Sequence, residues 1–156
     1  MARPTAVLLD SNLLLLLVVG LVDPTYIAKA RTLSAYSVED FELLTDILAS
    51  FRTIVTTPHI LTEISNLIGR ERDDICREVR GKITEFVSKA QEERAPAVTL
   101  VADPAFVRLG ITDTAISIAA SLPAFVLTAD APLYVHVSGS GGAVANFNHI
   151  RVSGWE

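Results

Sequence analysis

An α/β sandwich built around a mostly parallel sheet is the fold predicted by this 156-residue sequence. Three observations carry the prediction. Short apolar, β-branched runs alternate with longer stretches of helical periodicity along the whole chain. The first such run, TAVLL at 5–9, is apolar at consecutive positions, as a parallel strand covered on both faces must be. No linker, repeat or low-complexity tract interrupts the alternation, and residues 1–156 suit a single domain with a sizeable core.

The elements follow in order. After TAVLL, Ser11 or Asn12 opens a helix that carries the leucine run Leu13–Leu17, and DPTY at 23–26 breaks it. Residues 24–36 show no clear period. Ser37 with Asp40 three residues later forms a capping-box pattern ahead of FELLTDILASF, where Phe41, Leu44, Ile47, Leu48 and Phe51 share one helical face. TIVTT at 53–57 is β-branched and reads as the second strand. Thr57 then caps, and Pro58 starts, a helix that buries Ile60, Leu61, Ile64, Leu67 and Ile68 and carries Glu63.

Residues 70–94 hold seven basic and seven acidic side chains. Asp73–Arg77, Glu78–Lys82 and Glu85–Lys89 are spaced to pair along an exposed helix, which makes the stretch a solvated face before a binding patch. AVTLV at 97–101 reads as the third strand and DPAFVRLG as a short helix or turn. ITDTAISIAASL reads as a helix opened near Thr112 or Asp113. AFVLTAD at 124–130 is a further apolar strand ending in an acid. A short helix at 132–137, the turn SGSGG and a last strand from AVANF to HIRV complete the chain.

Composition narrows the function. Hydrophobic residues make up 50% and charged residues 20%, which describes a globular chain. A net charge of −5 argues against coating nucleic acid through a broad basic face. A small nucleic-acid site remains compatible, because bound metal ions supply positive charge locally. Cys76 is the only cysteine, so neither a disulfide framework nor a cysteine zinc site is available, and it reads as a small hydrophobe. The first residues lack the order of a signal peptide, and Leu13–Val22 is about half of a bilayer span. A cytoplasmic protein without a membrane partner is expected. SGSGG lacks the P-loop lysine, and His59, His136 and His149 show no ligand spacing. An aspartyl-phosphate site would ask for a second acid where Asn12 stands.

Four acids stand out. Asp10 and Asp130 each end an apolar strand, and a carboxylate there is costly unless a proton, a cation or a donor compensates it. Asp113 lies at a helix start and Glu63 in the second turn of another, both at the carboxyl edge of the predicted sheet, where ligands gather in such folds. Singly, Asp113 reads equally as a helix cap and Glu63 as a surface residue. Together, oxygen ligands of this kind select magnesium or manganese, and can activate a water for attack on a phosphodiester.

The segments VLLDSN, TPHILTEISNL, GITDTAISIAA and VLTAD resemble, in order, the four acidic motifs of PIN-domain nucleases. The resemblance spans essentially the whole chain and implies a three-layer sandwich with a five-stranded, mostly parallel sheet. It implies a metal-dependent endoribonuclease of the toxin–antitoxin kind, cytoplasmic, commonly a homodimer and restrained by a small antitoxin protein. Asp10, Asp113 and Asp130 would be the inner Mg2+ or Mn2+ ligands, with Glu63 a ligand directly or through water. Ser11 and Thr128 would be supporting hydroxyls, and Asn12 either supports the site or caps its helix. The chain departs from the common pattern in its charged stretch 70–94 and in having no basic residue beside Asp130. RNA contacts are sought at Lys29, Arg31, Arg70, Arg72 and Arg108. Two alternatives stay open: a non-catalytic domain of the same fold for binding or scaffolding, and a nuclease for RNA processing or DNA without an antitoxin.

Overall fold

The computed structural model describes residues 3–155. Five parallel strands form one sheet in the order β3-β2-β1-β4-β5. They are β1 (Ala6–Leu9), β2 (Thr53–Thr56), β3 (Gln91–Glu92), β4 (Ala124–Thr128) and β5 (Val144–Asn146). The helices are α1 (Ser11–Val22), α2 (Val38–Leu48), α3 (Pro58–Ile68), α4 (Asp73–Lys89), α5 (Ala97–Ala102), α6 (Phe106–Leu109), α7 (Ile111–Ala119), α8 (Ala131–Gly139) and α9 (Phe147–Ser153). The chain runs from β1 through β2 to β3 on one side of β1 and returns to β4 and β5 on the other. With the right-handed crossovers usual for parallel strands this covers both faces of the sheet, which makes three layers. The direction reverses between β1 and β4. Ligands bind open α/β sheets at that switch point.

The leucine run now has its reason. Residues Leu13 to Gly20 of α1 are all buried, so the helix is apolar on every side because it is enclosed on every side. It packs against α2, α3 and α4 and against the two 3-10 turns that follow it. Gly20 is the point of closest approach, since a Cβ there would overlap the Phe41 ring of α2. The capping box of α2 forms as expected, with Asp40 N–H donating to Ser37 Oγ and Ser37 N–H to Asp40 Oδ2. Thr57 caps α3 with Pro58 in its first turn, and Ile60, Ile64 and Ile68 are buried while Leu61 and Leu67 are half-buried.

Residues 24–36 contain two 3-10 turns, Pro24–Tyr26 and Arg31–Leu33. Glu71 holds this segment: its carboxylate accepts from Tyr26 Oη, Arg31 N, Thr32 N and Thr32 Oγ1 at 2.9 to 3.2 Å. Burial raises the Glu71 pKa, yet these donors outweigh it and the net shift is downward.

Several expectations are corrected. Residues 97–101 are helical, within α5, and only Leu100 turns inward while Val98 and Val101 are exposed. The place beside β2 belongs instead to Gln91–Glu92, a two-residue strand at the sheet edge. HIRV is also helical, within α9, because Phe147 and Ile150, three residues apart, face the core. Asn146 caps that helix by accepting from Asn148 N. Helix α1 is opened by Asp10, not by Ser11 or Asn12, and α7 follows Gly110 at φ 82° with no side-chain cap from Thr112 or Asp113. Along α4 the pair that forms is Lys82–Glu85, and Arg72–Asp74 forms at its start, in place of the three i,i+4 pairs. The helix is otherwise a solvated face that buries Ile75 and Val79, with Cys76 half-buried against the core. Among the described residues no helix is long and apolar enough to cross a membrane.

Candidate functional site

Asp10 leaves β1 at the switch point and is 4% exposed. Its Oδ1 accepts from Leu13 N at 2.9 Å, closing the first turn of α1. Oδ2 accepts from Thr128 Oγ1 at 2.6 Å and Ala129 N at 2.8 Å, both from the end of β4. Thr128 Oγ1 in turn accepts from Asp130 N at 2.9 Å. One buried hydroxyl thus ties together the two strand ends that carry acids. Asp130 repeats the plan of Asp10, capping α8 through Leu133 N at 2.8 Å.

The other two acids come from helices. Glu63 of α3 faces the start of α1, where Ser11 Oγ donates to its Oε2 at 3.4 Å. Asp113, in the first turn of α7, makes no hydrogen bond among the described residues. All four acids line one cleft of about 220 Å³, with Ser11, Asn12 and the Leu109–Thr112 segment completing its wall. Among the described residues neither Lys, Arg nor His lines it. Asn12 is exposed at the cleft and does not cap α1.

Electrostatics follow from this layout. Burial pushes the Asp113 carboxyl up to about 7, and the negative charges of Asp130, Asp10 and Glu63 push in the same direction. Burial also raises Asp10, against the lowering effect of its hydrogen bonds from Thr128, Leu13 and Ala129. Like charges gathered in a partly dry cleft ask for protons or for a shared cation. Four carboxylates supply more than enough of the oxygen donors that a hard divalent ion takes alongside water, so the residues fit magnesium or manganese by chemistry. As the side chains stand, no group of three or more Asp, Glu, His or Cys among the described residues is arranged to hold a metal ion.

The five basic candidates lie outside this cleft. Arg31 belongs to the segment held by Glu71, Arg70 and Arg72 flank Glu71 in sequence, and Lys29 acts on Asp23 alongside Arg72. Arg72 is engaged by Asp74 and lies over the Tyr26 ring at 5.4 Å. Arg108 stands next to the cleft wall and contacts His136 Nδ1 at 2.9 Å.

Sequence reasoning missed Tyr36 and Arg151. The Tyr36 hydroxyl is pushed up to about 12 by burial and by the nearby Asp10. Arg151 lies over its ring at 5.5 Å and pairs with Asp40 at 3.0 Å, so α9 braces the side of the site. The signal available was Asn146 two residues before Asn148, a helix cap where a strand was read. Compared with protein-family models, curated proteins and solved structures, the chain matches none.

Proposed function

We propose that this chain is a metal-dependent endoribonuclease of the PIN type that hydrolyses RNA phosphodiester bonds at the four-acid cleft. The observation that carries the reading is the convergence of Asp10, Glu63, Asp113 and Asp130, from four separate elements, on one cleft without a cationic side chain. Magnesium or manganese, when bound, would activate a water and neutralise the leaving oxygen. Asp10, Asp113 and Asp130 would hold the ion, and Glu63 would do so directly or through water. Ser11 orients Glu63. Thr128 fixes Asp10 against the Asp130 backbone, so that two ligands keep one relative position.

The toxin of a toxin–antitoxin pair, acting in the cytoplasm as a homodimer, is the fuller form of the proposal. Its support is the resemblance of the four motifs, and an apolar cleft of about 460 Å³ between α1, α2 and α4 is of a size to take a few side chains of a partner. A small reading frame beside the gene would favour it over RNA processing. A second reading keeps the fold without the chemistry, and what favours it is that among the described residues no group of three or more acids stands arranged to hold a metal ion.

Incubation of the purified protein with a mixed RNA pool and a matched DNA pool separates these readings. Cutting of RNA in manganese or magnesium, abolished by chelator, is expected. No cutting with either metal, together with no metal binding, would favour the non-catalytic domain.

A further inference from the structure

A second, wider groove of about 600 Å³ runs between α6 and α8, lined by Arg108, Pro132, Val135, His136 and Ser140. The groove and the acid cleft adjoin at two places in the chain: Leu109 and Asp130 line the cleft, while their immediate sequence neighbours Arg108 and Ala131 line the groove.

Position singles out this groove, because Arg108 is the one of the five basic candidates whose sequence neighbour lines the acid cleft. Among the described residues Arg72 pairs with Asp74, and Lys29, Arg31 and Arg70 make no ion pair. Arg108 has no carboxylate within ion-pair distance among the described residues. Its side-chain partner is the ring of His136. A guanidinium only donates, so Nδ1 of His136 accepts and the ring proton sits on Nε2. The pair therefore presents the remaining Arg108 N–H groups and the Nε2–H as donors, with no anion to receive them. Donors gathered in this way suit a phosphate.

We infer that Arg108 and His136 form a subsite for a backbone phosphate of an RNA strand whose scissile bond lies at the acid cleft. This rests on the nuclease reading above and supplies what the acidic cleft lacks, a positive anchor that positions the strand without reading its bases. Val135 gives the groove an apolar wall beside the anchor.

The test is fluorescence anisotropy of a labelled single-stranded RNA decamer, and of the same sequence in DNA, with Arg108→Ala, Arg108→Lys and His136→Ala. Arg108 is exposed, so the variants are expected to fold. Arg108→Ala should weaken RNA binding by about tenfold and lower the salt slope of log K by about 0.7, one single-strand phosphate contact. Arg108→Lys should restore part of the affinity, and His136→Ala should weaken binding less than Arg108→Ala. Parent-like affinity and slope in Arg108→Ala and His136→Ala, in a protein that still cuts RNA, would overturn the subsite alone. Absence of both binding and cutting in the parent would overturn the nuclease reading with it. Equal losses on DNA would keep the phosphate contact and remove the preference for RNA. A change in particle mass by light scattering at parent affinity would assign the groove to a contact between chains, against the proposal.

Discussion

Asp113→Asn is expected to abolish metal-dependent cleavage of RNA while raising the melting temperature of the metal-free protein at about pH 8. The two effects share one cause. Asp113 is held in a partly dry cleft beside three other acids, which pushes its carboxyl up to about 7 from an ordinary value of 3.8. The folded state therefore binds this proton more tightly than the unfolded state. Stability contributed by the proton is fully present below the unfolded value and is lost as pH rises through the folded value. Across that window the metal-free parent should become less stable, and the neutral amide should not. The melting-temperature difference should be small near pH 4 and grow to a few degrees by about pH 8. Loss of a ligand should lower the cleavage rate about 10³-fold, several kcal/mol of charge stabilisation. Thermal melts across pH, with and without manganese, check the first part, and initial rates check the second.

Asp10 is a poorer place for the same substitution. Three donors converge on its carboxylate, so an amide nitrogen would face at least one of them. The Asp113 side chain has no such partners among the described residues, so its replacement separates metal binding from folding.

Thr128→Val should damage fold and activity together. The hydroxyl is fully buried, donates to Asp10 and accepts from the Asp130 backbone. Valine keeps the shape and removes both bonds, leaving a carboxylate oxygen one donor short and a backbone N–H without its partner. A hydrogen bond to a charged group contributes about 1.5–3 kcal/mol, which for a chain of this size lowers the melting temperature by roughly 5–10 °C. Misplacement of Asp10 should cost about 10–100-fold in metal affinity or rate. Thr128→Ser keeps the hydroxyl and should recover most of the activity. Melting curves and manganese dependence of the rate, compared between valine and serine, check the pair.

The central part of the fold was legible because its residues serve one purpose each. β1, β2 and β4 are apolar or β-branched since they lie inside a parallel sheet, and the start of α3 is marked by Thr57–Pro58. The edges were not legible. β3 is Gln91–Glu92, with no apolar signal because two residues at a sheet rim need only backbone bonds. AVTLV misled because a short apolar run has no period that separates strand from helix. HIRV misled in the same way, although the spacing of Phe147 and Ile150 carried the helical period.

The acids themselves were legible, since charge at the end of an apolar strand has to be compensated. What surrounds them was less so. Thr128 was read as a supporting hydroxyl and does donate to Asp10, but its link to the Asp130 backbone depends on the register of β1 against β4. Tyr36, Arg151 and the Arg108–His136 contact join segments far apart in the chain, and no local pattern announces such pairs.

The most direct test of the account is a calorimetric titration of manganese into the purified chain at about pH 6.5, in two buffers of different ionisation enthalpy. Saturable binding with net release of protons is expected, since Asp113, with its carboxyl near 7, must lose its proton to become a ligand. The release should fall in Asp113→Asn, with affinity lowered by about 10–100-fold. No manganese binding by the parent, or binding unchanged in Asp113→Asn, would contradict the assignment of the four-acid cleft as a metal site.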